Sequence, residues 1–179
     1  YGTNRLGLTG QGRWGAADYG FAVSHVDTDG FSTADENDGH REDDGYENTT
    51  LHARADLQLG LNTGLEFVLR HTAGTVEFDG APPPSFTLDD VAGKGEDYER
   101  IAYRLGLAHE TASWTHRFDV TGYDSEIDSI SDFAVSSTAD AKRQKLAYRG
   151  VGALAENLQL VIGAEDLTSE YTDTNEYEV

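Results

Sequence analysis

Residues 51–71, LHARADLQLGLNTGLEFVLRH, decide how the rest of the chain is read. Side chains on an extended chain alternate between two faces. Leu51, Ala53, Ala55, Leu57 and Leu59 therefore share one side, and His52, Arg54, Asp56 and Gln58 share the other. Asn62-Thr63-Gly64 then supplies residues that tolerate positive φ and can reverse the chain. Beyond it Leu65, Phe67 and Leu69 face one way while Glu66, Arg70 and Thr72 face the other. The stretch predicts a β-hairpin with one apolar face and one face carrying charge of both signs. In a soluble sandwich the apolar face packs on a second sheet. In a membrane barrel it meets lipid, and the polar face lines the interior.

The same alternation extends outward in both directions. Leu6, Leu8 and Trp14 oppose Arg5, Thr9, Gln11 and Arg13, and Tyr19, Phe21 and Val23 follow after a short turn at 15–18. Ile101, Tyr103, Leu105 and Leu107 oppose Arg100 and Arg104; Trp114, His116, Phe118 and Val120 oppose Arg117, Asp119, Thr121 and Tyr123. Leu146 and Tyr148 oppose Lys145 and Arg149, and Leu158, Leu160 and Ile162 form a last strand. Long hydrophilic loops are expected at 27–48, 74–96 and 124–140, with a further acidic segment at 171–179. About eight strands in four hairpins result, with short turns at one end and long loops at the other. Strands of roughly ten residues are longer than usual for soluble sheets, and about ten is what a tilted strand needs to cross a bilayer. One-sided loop length is the habit of outer-membrane barrels. Trp14, Tyr19 and Trp114, beside the short turns, are expected in an interfacial aromatic girdle.

Composition bounds the alternatives. With 33 acidic against 13 basic residues the formal charge is −20, which argues against nucleic acid as a partner. No apolar run approaches the ~20 residues of a membrane helix. The chain has no Met and opens on Tyr1, so it is expected to be a processed or cut piece. No nucleophile elbow, phosphate-cradling glycine loop or Ser/His/Asp arrangement can be assembled, and an enzyme is not expected. The histidines at 25, 40, 52, 71, 109 and 116 show no metal-ligand spacing; His71 and His116 are expected at the membrane interface.

The phrases YGTNRLGLTGQG, GFAVSHVDTDGFS, DGYENTTLHARADLQLG and WTHRFDVTGYD resemble the early barrel strands of TonB-dependent outer-membrane receptors, nearest the cobalamin-receptor-like branch. The resemblance spans essentially the whole chain and implies an all-β, antiparallel transmembrane β-barrel. Residues 1–179 would be its N-terminal part, eight meandering strands of a barrel of about twenty-two. The plug domain and energy-coupling box of the family are not recognised here, so a fragment beginning after the plug is expected. The implied function is TonB-coupled uptake of a metal chelate, cobalamin or a ferric siderophore, across a bacterial outer membrane. The implied partners are outer-membrane lipid, the chain's own plug, the TonB complex and the extracellular chelate. Two other readings stay open: a complete eight-stranded outer-membrane barrel, and a secreted calcium-binding β-sandwich or lectin-like module.

Carboxylates crowd the first two long loops among Gly30, Gly39 and Gly45, an oxygen-rich and bendable setting of the kind calcium takes. The spacing is not that of an EF-hand loop. The resemblance implies calcium ordering these loops, with EDDGY offering Glu42 and Asp44, FDG offering Asp79, EDYER offering Asp97, and Asp29 as a further ligand. A solvated acidic loop is the competing reading. Phe31, Tyr46, Phe78, Phe86 and Phe133 are the candidate ligand contacts on the loops. Arg5, Arg13, Arg54, Arg70, Arg100, Arg104, Arg117 and Arg149, with Asp56, Glu66, Asp119 and Glu165, form a second constellation. In the receptor reading they pair across strands and hold the plug; in the soluble reading they are a hydrated surface.

Overall fold

A computed structural model describes residues 2–31, 43–81, 84 and 93–174. They form eight strands: β1 (Thr3–Trp14), β2 (Ala17–Thr28), β3 (Tyr46–Gln58), β4 (Thr63–Glu77), β5 (Gly95–Glu110), β6 (Trp114–Ser131), β7 (Ala134–Ala155) and β8 (Leu158–Asp173). Each pairs antiparallel with the next in one sheet of order β1 to β8. The sheet is open, because β1 and β8 are not paired with each other. No helix long and apolar enough to cross a membrane occurs among the described residues.

The expected alternation sets the register. Leu57 stands opposite Leu65, Leu65 opposite Leu107, and Leu107 opposite Phe118, so four strands contribute to one apolar row. Among the described residues no second layer covers it. Leu57, Phe67, Leu105 and Phe118 keep 37%, 39%, 45% and 47% of their surface exposed, whereas in a sandwich they would be core. Among the described residues those that are buried are glycines within the sheet and loops, together with Ser125. The chain is one sheet of one layer, not two packed sheets.

Lacking a second layer, the apolar face packs sideways. Aromatic rings lie flat over glycines on the neighbouring strand: Tyr103 over Gly122, Trp114 over Gly152, and Tyr19 over Gly12. A Cβ at Gly122 or Gly152 would enter the ring that covers it. This is why glycines recur inside strands where they otherwise weaken pairing.

The apolar band runs obliquely across the hydrogen-bonded rows. At the long-loop end its last side chain on β2 is Val23, but on β8 it is Ala164. Ala164 lies in the row that runs through Tyr148, Phe118, Leu107, Leu65 and Leu57 to Ala17, six residues along β2 from Val23. The border is level from Val23 through Leu51 to Ile101 and then drops over β6 to β8, an average shift of about one residue per strand. With ~3.3 Å per residue and ~4.8 Å between strands, strands tilted about 35° would hold that band level. The lower border moves the same way, from Trp14 and Ala17 to Trp114 and Leu160 two rows on. On β5, residues 100–108 separate Glu99 from His109 on this face. At the same tilt they rise about 24 Å, close to the ~25 Å apolar belt of a membrane barrel.

One expected loop is not a loop. Residues 124–140 continue β6 and β7, 18 and 22 residues long, to a two-residue turn at Asp132 and Phe133. Both turn residues are left-handed, with φ of 52° and 62°, as a tight hairpin turn demands. The loops expected at 27–48 and 74–96 are likewise shortened, since β2 reaches Thr28, β3 starts at Tyr46, β4 reaches Glu77 and β5 starts at Gly95.

Candidate functional site

The polar face carries a cluster of ion pairs toward the short-turn end. Glu66 on β4 accepts from Arg117 Nη2 at 2.7 Å, with Arg104 and Arg54 nitrogens at 3.8 and 3.9 Å. Asp119 accepts from Arg104 Nε at 2.9 Å and Arg117 Nε at 3.0 Å, and Asp56 accepts from Arg54 Nε at 2.7 Å. The register makes this possible: Asp56 is opposite Glu66, Glu66 opposite Gly106, and Gly106 opposite Asp119. Gly106 leaves the space through which Arg117 and Asp119 meet, because a Cβ there would lie 3.0 Å from Arg117 Nη2. Two carboxylates shared among arginines are held by charge-assisted, geometrically fixed bonds.

The constellation expected from sequence lies on this face as a whole, but its pairing is selective. Arg13 pairs with Asp18 across the first turn at 2.7 Å, and Glu165 meets Lys145 at 3.6 Å rather than an arginine. Among the described residues Arg5, Arg70, Arg100, Arg143 and Arg149 have no carboxylate within 4.0 Å. Arg100 places its guanidinium carbon 4.9 Å from the centre of the Tyr98 ring. Tyr98 donates to Asn48 Oδ1 at 3.0 Å and sits 3.4 Å from the Tyr46 hydroxyl. Tyr98 stands loopward of the apolar band. Burial first, then the Tyr46 hydrogen bond, push its hydroxyl up to about 12.

Charge is partitioned between the faces. Every described arginine on a strand, from Arg5 to Arg149, stands on the polar face, and Lys142 is the strand cation on the other. Above the apolar band that other face is acidic. Glu47, Asp97, Glu99, Glu126 and Asp128 line a cavity of about 360 Å³. At the border His71 Nε2 meets Glu99 at 2.8 Å. At the opposite border His109, His116, Trp114 and Tyr148 stack with ring centres 5.9–6.4 Å apart, and Phe118 lies 4.8 Å from Tyr148.

The five residues suggested for calcium are dispersed in role. Asp29 accepts from the Gly2 amide at 3.0 Å and Asp97 from the Thr75 hydroxyl at 2.6 Å. Asp44 precedes β3 and Asp79 follows β4, while Glu42 lies outside the described residues. Among the described residues no group of three His, Cys, Asp or Glu side chains is placed to hold a metal. Of the loop aromatics, Phe31, Tyr46, Phe78 and Phe133 are exposed, and Phe86 lies outside the described residues. Tyr46 joins the Tyr98 cluster, whereas Phe133 lies over Gly93 at the tip of the β6–β7 hairpin.

A one-layer sheet with an oblique apolar band on one face and arginine pairs on the other defines an antiparallel meander with two different environments. Comparison with protein-family models, curated proteins and solved structures finds no match.

Proposed function

We propose that these eight strands are consecutive staves of a larger outer-membrane β-barrel, part of a TonB-coupled receptor that takes up a metal chelate such as cobalamin or a ferric siderophore. The observation that carries the reading is the apolar band, about 24 Å high and stepped on average about one residue per strand. A surface patch for a protein partner has no reason to drift across eight strands with both of its borders moving in the same direction. The other face supports an enclosed interior, since semi-buried arginine–carboxylate pairs suit a wall against which a plug domain rests. The unpaired edges of β1 and β8 each call for a further strand, because exposed edges invite aggregation.

The two tryptophans test the lipid half of this reading. Trp14 and Trp114 both lie at the short-turn border of the band. In bilayer vesicles their emission should be blue-shifted and quenched more by lipids brominated near the headgroups than by lipids brominated at the chain ends. Water-like emission, indifferent to brominated lipid, would refute it. Transport is tested by uptake of labelled cobalamin and of ferric siderophore into cells carrying the gene. Uptake should require an intact TonB complex; uptake of neither chelate, or uptake indifferent to TonB, refutes that half.

A further inference from the structure

Three neighbouring rows on the polar face hold no carboxylate on any of the eight strands, in a protein of net charge −20, and the two nearer the loops carry arginines outside the ion-pair cluster. One runs from Gly7 through Arg100 and Ser125 to Tyr171, the other from Thr9 through Arg70, Tyr123 and Arg143 to Ser169. Two rows from Arg70 toward the short turns, Asp56, Glu66 and Asp119 are already engaged by Arg54, Arg104 and Arg117. Among the described residues Arg70, Arg100 and Arg143 have no carboxylate within 4.0 Å. Arg70 and Arg143 are three strands apart, about 14 Å at ~4.8 Å per strand, and Arg100 lies between them one row nearer the loops.

A separate feature points to a ligand at the same place. Ser125, directly opposite Arg100 and flanked along β6 by Tyr123, retains 5% of its surface. Its hydroxyl has no hydrogen-bond partner among the described residues. A buried polar group left unpaired is costly, and native structures rarely keep one without use. Guanidinium groups bind carboxylate oxygens in pairs, and three of them freed from internal carboxylates form a receptor for such oxygens.

We propose that Arg70, Arg100 and Arg143, with Tyr123 and Ser125, form a binding site for a small multidentate anion, a carboxylate-bearing metal chelate in preference to a neutral one. The inference rests on the receptor reading for its biological meaning and narrows the chelate to the anionic class. The site itself needs only the polar face.

The test is calorimetric titration of the full 179-residue chain, folded in a neutral detergent and checked for strand content by circular dichroism. The probes are citrate and its iron(III) chelate, with cyanocobalamin as the neutral comparator. Citrate or its chelate should bind, and cyanocobalamin should bind at least tenfold more weakly. R70Q, R100Q and R143Q should each weaken citrate binding about tenfold, whereas R13Q, whose partner is Asp18 at the far end of the face, should leave it unchanged. Should a variant lose its strand signal, phenylglyoxal labelling of the unaltered protein replaces it: citrate should protect Arg70, Arg100 and Arg143 but not Arg5. No citrate binding, equal weakening by R13Q, or equal protection of Arg5 overturns the site. Tryptophans in lipid without citrate binding would end this inference and spare the barrel; citrate binding by a chain indifferent to lipid would do the reverse.

Discussion

The two faces of this sheet share one backbone, one register and one set of turns, yet they solve opposite problems. On the apolar face, Leu57, Phe67, Leu105 and Phe118 stay accessible, and order comes from rings pressed onto glycines of the next strand. On the polar face, order comes from arginines of three strands that converge on two shared carboxylates. The difference teaches what each face is built against. Apolar side chains exposed in a continuous band are tolerable where the solvent is itself apolar. Arginine–carboxylate pairs gain strength where water is scarce and lose it where water is plentiful.

The sharpest way to break the comparison is to place the same charge on each face at the same height. Leu105→Arg on the apolar face should destabilise the bilayer-inserted protein by about 2–4 kcal/mol, the cost of arginine at a bilayer midplane. Thr121→Arg, one residue beyond Val120 on the partner strand but on the polar face, should cost about 1 kcal/mol, set by the like charges of Arg104 and Lys145 directly opposite it. Denaturant unfolding in vesicles reads both, and equal costs would show that the faces do not differ in environment. Next in size is Gly122→Ala. Its new methyl must displace the Tyr103 ring, which should cost about 1–3 kcal/mol, and the companion change Tyr103→Leu should recover part of it. A double-mutant cycle on Glu66 and Arg117 comes third. Their coupling should be about 1 kcal/mol, discounted because both side chains are partly exposed, and should shrink as salt is added.

The smallest effect is one of pH. The Tyr98 hydroxyl is held protonated up to about 12, above the ordinary 10.0. A raised folded value means stability that is fully present below pH 10 and is lost as pH rises through 12. Unfolding followed between those limits should show that loss in the parent chain and not in Tyr98→Phe. Identical pH profiles would remove Tyr98 from the polar-face cluster.

Legibility in the sequence followed the apolar band. Where a strand crosses it, as in residues 51–59 or 101–107, alternation of greasy and polar side chains is plain, and the strands were found. Residues 124–140, DSEIDSISDFAVSSTAD, lie loopward of the band and are polar on both faces, so the alternation signal vanishes although the ladder continues. The turn inside them escaped too, because Asp132-Phe133 holds a positive-φ geometry without the glycine or asparagine that ordinarily signals it. The arginines could be assigned to a face, but not to partners. Asp18, expected in the first turn, stands in β2 and pairs with Arg13, and Arg143 takes its place on the polar face only through the β6–β7 register.

By itself the sequence determined that the chain is all-β, that it meanders through hairpins, and that one face is apolar while the other is charged, because a period of two is a local property of an extended backbone. Tertiary structure decided the rest: that there is a single layer, that the apolar band steps on average about one residue per strand, and that Glu66 and Asp119 gather arginines from β3, β5 and β6. Each of these depends on how strands slide past one another, and sliding is set by the pairing of whole strands.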